Sequence, residues 1–124
     1  MVFWWRKQKK IPKTIEIPSL PINQKDNEFK SLKSKINSTF HGHPGSLDYL
    51  WMPTNRKDSL EWLDLFLENK FSKFGDYEDA IRFENNFLFH SALSPVLNMG
   101  LLTPDEVVNK ALEFSKTHSI PINS

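Results

Sequence analysis

Apolar residues recur at three- and four-residue intervals in the second half of the chain; the first half breaks into short pieces. The run "NRKDSLEWLDLFLENKFSKFG" sets Leu60, Leu63, Phe66 and Leu67 on one stripe with Asp64 and Glu68 opposite, the signature of an amphipathic helix. Asn55 or Thr54 is placed to cap it, and Gly75 to follow its end. Asp76 then opens a short helix in "DYEDAIRF" that leads to Asn85-Asn86. "SPVLNMG" reads as a start, with Ser94 as cap and Pro95 in the first turn, followed by a stop at Gly100. "TPDE" is the strongest local signal. Thr103 caps, Pro104 takes the first helical position, and Glu106 three residues on completes a capping box. The helix it opens is expected to bury Val107, Val108, Ala111 and Leu112 and to fade near His118 and Pro121.

Upstream, prolines at 12, 18, 21, 44 and 53 interrupt any long periodic segment. "KKIPKTIEIPSLP" reads as extended chain, because a residue before proline is pushed away from helix. "EFKSLKSKINSTF" holds Phe29, Leu32 and Ile36 at helical spacing and fits one short helix, and "HGHPGS" is a turn-rich loop. The expectation is mainly α: an irregular Pro-containing arm over residues 1–50 with one short helix, then four helices over 51–124, and no strand-rich sheet.

Composition sharpens this outline. The chain has 124 residues, so one small domain or part of a larger one, and its aromatic share of 13% includes ten Phe and four Trp that need a core or a partner to cover them. Net charge is +1, yet residues 1–40 carry nine Lys/Arg against three Asp/Glu, whereas residues 41–124 carry seven against twelve. A basic arm on an acidic body is one account of that split, and Lys7, Lys9 and Lys10 could touch nucleic-acid phosphates. A solvated linker fits as well and is preferred. The absence of cysteine excludes disulfides, thiol nucleophiles and Cys-based metal sites. No apolar run approaches the ~18 residues of a membrane span. "MVFWWRKQKK" lacks the order of a secretory signal, since its charges follow its short apolar stretch. A cytoplasmic location without membrane contact is expected.

Candidate chemistry concentrates in "FLFHSALSPVLNMGLLTPDEVV", residues 87–108. Its serines fall near helix starts, where unpaired N–H groups and the positive end of the helix dipole attract anions. Ser91 and Ser94 could add hydroxyl donors to one phosphate. On spacing alone the plainer account is preferable, with Ser94 only a cap and Ser91 incidental. His41 and His43 lack a third ligand at usable spacing, so the metal assignment is none. Asp76, Glu78 and Asp79 suit a solvated first turn better than acid–base work, and no catalytic residue is assigned. Trp62 is expected to flank the apolar stripe of its helix and Trp51 to pack a loop.

The run "HSALSPVLNMGLLTPDEVV" resembles the flavin-phosphate segment of the cryptochrome/photolyase family, where a Ser, a Leu-Ser-Pro, a Gly and a Leu-Ser/Thr-Pro recur in this order. Pro53 to Asp58 and "FGDYEDAI" (74–81) extend the likeness towards the bacterial iron–sulfur, photolyase-related subgroup, and "KKIP…IPSLP" is similar to its interdomain linker. The resemblance covers residues 9–124. It implies that Ser91, Leu93 (through its backbone) and Ser94 hold the pyrophosphate of FAD, that His90 stands where a Thr is common, and that Tyr77 also touches the phosphates. With the family in view, the phosphate role becomes the preferred one for the two serines.

The same resemblance implies an internal fragment: linker plus the first helices of a helical FAD-binding domain. The antenna domain, the helices that enclose the flavin ring, the electron-relay aromatics and the cluster cysteines have no counterpart here, so the iron–sulfur cluster and antenna chromophore have no binding region. The parent activity implied is blue-light repair of pyrimidine photoproducts, with damaged DNA as partner of the full-length parent and a companion chain completing the flavin site. The isolated chain is expected to be inactive. The competing expectation is a small helical protein-interaction module, or a decayed reading frame without catalysis.

Overall fold

A computed structural model describes residues 10–20 and 27–124. It contains, among those residues, α1 (Asn27–Thr39), a 3₁₀ turn (Leu47–Tyr49), α2 (Arg56–Asn69), α3 (Phe71–Tyr77), α4 (Ser94–Asn98) and α5 (Pro104–Thr117). The described residues include no strand, only an isolated bridge between Arg82 and Asn85. The mainly α expectation therefore holds for them. Trp4, Trp5, Lys7 and Lys9 lie outside the described residues, and Lys10 is exposed.

The core is built on α2. Asn55 adopts extended backbone and its side chain accepts from the Asp58 N–H, which fixes where the helix starts. From there Trp62, Leu63, Phe66 and Leu67 are carried inward and meet Leu93, Val96 and Leu102. α2 packs against both α3 and α5. Aromatic pairs line the rim: Trp51 lies 4.8 Å from Phe87 and 5.6 Å from Trp62, and Phe66 meets Phe74 edge-on at 5.4 Å. α5 is tied to α2 by polar clasps. Lys110 pairs with Asp64 at 2.5 Å, and Arg56 reaches the Glu106 carboxylate while Nη1 donates to the Leu101 carbonyl at 2.9 Å.

Several boundaries differ from the sequence expectation. The long helix does not run on to Gly75. It breaks at Lys70, whose backbone (φ −123°, ψ −29°) leaves helical values while its N–H still bonds the Phe66 carbonyl. A separate helix, α3, then holds Gly75 inside it. "DYEDAIRF" is not a helix: Asp76 and Tyr77 close α3, and the chain beyond Ala80 is irregular. Ile81 and Phe83 are 86% and 97% exposed, so a helix there would have had no packed face to offset its ordering entropy.

The capping box is present in full, with Thr103 accepting from the Glu106 N–H and Glu106 accepting from the Thr103 N–H. The face that α5 turns inward is narrower than expected. Val107, Ala111 and Phe114 pack on the core, whereas Val108 and Leu112 are 55% and 57% exposed. Two apolar stripes one residue apart overlap on this helix, and the core is wide enough for one.

Before α2 the arm is irregular, with α1 as its single α-helix among the described residues. Phe29 and Ile36 are half-buried and Leu32 is exposed. Lys33 pairs with Asp48, joining α1 to the 3₁₀ turn. Ile15 N–H bonds the Pro12 carbonyl to form a turn, after which residues 16–20 run across the body and Leu20 packs on the core.

Candidate functional site

Residues 16–20 and α2 enclose a cleft of about 540 Å³. One wall is the strap itself, with Ile17, Pro18 and Leu20; the other is Trp62, Leu65 and Phe66 of α2. Asn69, Lys70 and Ser91 close it, and Glu16 stands exposed at its edge. The volume lies within the range of roughly 300–1,000 Å³ typical of small-molecule sites.

Lys70 is the unusual member. The residue is 5% exposed, and Nζ makes a long hydrogen bond of 3.4 Å to the His90 carbonyl. It forms no ion pair among the described residues, and burial holds its pKa below the ordinary lysine value. An ammonium has three donors, and among the described residues no carboxylate is paired with this one.

The loop after α3 brings Ser91 to this place. Asn85 accepts from the N–H groups of Phe87 and Leu88 at 3.0 and 2.8 Å, turning the chain tightly enough that Leu88 adopts φ +41°. Ala92 follows with φ +53°. Such values are uncommon outside glycine and cost of order 1–3 kcal/mol each, so the surrounding contacts must hold them. They do: Leu88 and Phe89 are fully buried, and the Ser91 carbonyl accepts from Trp62 Nε1 at 3.0 Å.

The five residues that the flavin resemblance points to sit in different settings. Ser91 lines the cleft. The His90 carbonyl bonds Lys70, and its ring is half-buried. Leu93 puts its side chain in the core, and the Tyr77 ring packs 5.5 Å from Phe89. Ser94 is exposed. It is the first residue of α4 rather than its cap: Leu93 takes the cap position in helical conformation, with no side-chain cap bond. A cap residue normally needs extended backbone for its oxygen to reach the helix N–H groups, and Leu93 has φ −86°, ψ −15°.

Sequence reasoning passed over Lys70, although a signal was present. Leu63, Phe66, Leu67 and position 70 continue one stripe at i, i+3, i+4 and i+7, so the lysine occupies a core register. Among the described residues no cluster of three or more His, Cys, Asp or Glu is arranged to hold a metal ion. His41 and His43 are exposed, and His118 stacks on Phe114 with centroids 3.8 Å apart. Nor is any described helix long and apolar enough to cross a membrane.

No family model matches the chain. A stretch of 44 residues, 35% of this chain, is 54% identical to "Uncharacterized protein R853" of Acanthamoeba polyphaga mimivirus, and spans 34% of that protein.

Proposed function

We propose that this chain forms part of the helical FAD-binding domain of a photolyase-like flavoprotein and supplies one wall of its cofactor site. The observation that carries this reading is the stretch His90–Pro104. Its motif residues pass through a strained turn at Ala92, place Ser91 in the lining of a cleft with a buried lysine, and open two successive helices at Ser94 and Pro104. A wall of this kind binds and orients a cofactor; the photochemistry would be the flavin's own. Tyr77, His90, Ser91, Leu93 and Ser94 remain the residues assigned to the phosphates, with damaged DNA as substrate of the complete protein and a companion chain supplying the remaining helices. The compartment proposed is the cytoplasm.

The test is an absorbance spectrum of the protein purified after co-expression with its genomic neighbours. A flavin band that disappears with Ser91→Ala/Ser94→Ala supports the reading. A colourless wild-type preparation overturns it. The isolated chain is expected to leave photoproducts in DNA unrepaired under blue light.

A second reading, a helical interaction module, is favoured by the exposure of Ile81 and Phe83 on one loop and of Val108 and Leu112 on α5. Such a module would tolerate loss of both serine hydroxyls, which a flavin wall would not.

A further inference from the structure

We propose that the cleft between residues 16–20 and α2 binds a phosphorylated aromatic small molecule, with Lys70 as its counter-ion and the Ser91 hydroxyl as a hydrogen-bond donor. The inference stands on the cleft and does not need the flavin reading, because any phosphate carried on an apolar, planar body meets the same requirements.

Three observations converge. First, the walls are apolar on both sides, with Ile17, Pro18 and Leu20 facing Trp62, Leu65 and Phe66, so the body of a ligand would be gripped by burial. Second, Lys70 is a buried cation without an ion-pair partner among the described residues. Burying an ammonium is costly unless an anion compensates it, and its one contact, the His90 carbonyl at 3.4 Å, is a weak substitute. Third, the polar groups beside it are mainly uncharged. Ser91 and Ser19, both with hydroxyl side chains, are among the residues that line the cleft. Asn69 has one amide hydrogen engaged by the Leu65 carbonyl at 2.9 Å.

One cation and several neutral donors suit a phosphate, whose oxygens accept more bonds than a single lysine can give. Glu16 lies at the exposed edge and disfavours a ligand whose charge sits at the mouth. The charged end is therefore placed inward, against Lys70.

Two ligand pairs, each differing by a phosphate, test this on the whole chain: FMN with riboflavin, and AMP with adenosine. Isothermal titration of the wild-type protein should give at least about a tenfold tighter Kd for the phosphorylated member of one or both pairs, the scale of a single charge-assisted interaction. Lys70→Met should abolish that ratio and Lys70→Arg should retain it, with circular dichroism showing that each variant folds. A phosphate preference confined to AMP supports the cleft while counting against the flavin reading; one confined to FMN supports both. Equal affinities within each pair, no binding of any of the four, or a preference that survives Lys70→Met overturns the proposal. The wild-type comparison needs no variant, so a ratio of one is decisive even if Lys70→Met fails to fold.

Discussion

Gly75 in α3 lies directly against the backbone of Asn123: a Cβ built on Gly75 would be 1.7 Å from the Asn123 carbonyl oxygen and 2.2 Å from its carbon. The contact has polar support on both sides. Gly75 N–H donates to Ser124 Oγ at 3.3 Å, and Asn123 Nδ2 donates to Asp76 Oδ1 at 3.1 Å. Residues 121–124 are thus docked on α3 through a position where no side chain fits.

Gly75→Ala should displace that segment. The backbone atoms in the way cannot swing aside as a side chain would, so a loss of about 1–3 kcal/mol is expected, the usual range for an overpacked site. Alanine's better helix propensity offsets at most about 1 kcal/mol of it. Thermal melting with hydrogen exchange at residues 121–124 gives the answer: an unchanged midpoint with unchanged protection would show that the contact does not constrain the tail.

Trp62→Phe removes the indole N–H that bonds the Ser91 carbonyl while keeping most of the ring volume. A carbonyl left without its donor at a partly buried site should cost about 1–3 kcal/mol in urea denaturation. The strained Ala92 turn beside it should also loosen. Equal stability would mean that water replaces the indole without loss.

Glu106 makes the fold acid-sensitive. Its carboxyl is pulled down to about 2 from an ordinary 4.5, first by the Arg56 guanidinium and then by the Thr103 N–H and hydroxyl. A carboxylate with a depressed folded-state pKa binds fewer protons when folded than when unfolded. Its stabilising contribution is therefore complete above about pH 4.5 and is lost as pH falls towards 2. Glu106→Gln should flatten the stability curve between those limits, where wild type falls. Parallel curves for the two proteins would assign the acid response elsewhere; Asp48, lowered by Lys33, is the first alternative.

Thr103→Ala tests the cap alone. About 1 kcal/mol should be lost, with α5 fraying at its first turn while the inward residues Val107, Ala111 and Phe114 keep their packing. Helicity by circular dichroism should fall only slightly. A large loss would mean that the cap also positions Glu106 for Arg56, and the double change with Glu106→Gln would then be non-additive.

The parts of the fold that were legible from sequence are those fixed by local chemistry. Asn55 and Thr103 announce helix starts because their side chains bond the N–H group three residues on, and the α2 stripe announces the core. What failed was settled at longer range. Gly75 looks like a helix stop until residues 123–124 arrive against it, and "DYEDAIRF" looks helical until its apolar residues find no surface to pack on. The residue type of Ser94 suits a cap, but says nothing of the helical φ and ψ that Leu93 adopts before it. At the cleft, Ser91 was visible through its motif. Lys70 was hidden because a lysine after an apolar stripe ordinarily signals the solvated end of a helix.

The strap of residues 16–20 gives the cleft an uneven temperament. One wall belongs to α2, whose side chains cannot shift without disturbing the whole core. The other is irregular chain, separated by more than forty residues from the surface it covers, and among the described residues it has few backbone hydrogen bonds: the Ile15–Pro12 turn and a bond from Arg82 to the Ile11 carbonyl at 3.3 Å stand at its upstream end. Closing so long a loop carries an entropic cost, and segments with little backbone hydrogen bonding belong to the parts of a fold that open most readily. Backbone N–H groups of residues 16–20 are therefore expected to exchange with solvent ahead of those in α2, which the whole core holds in place.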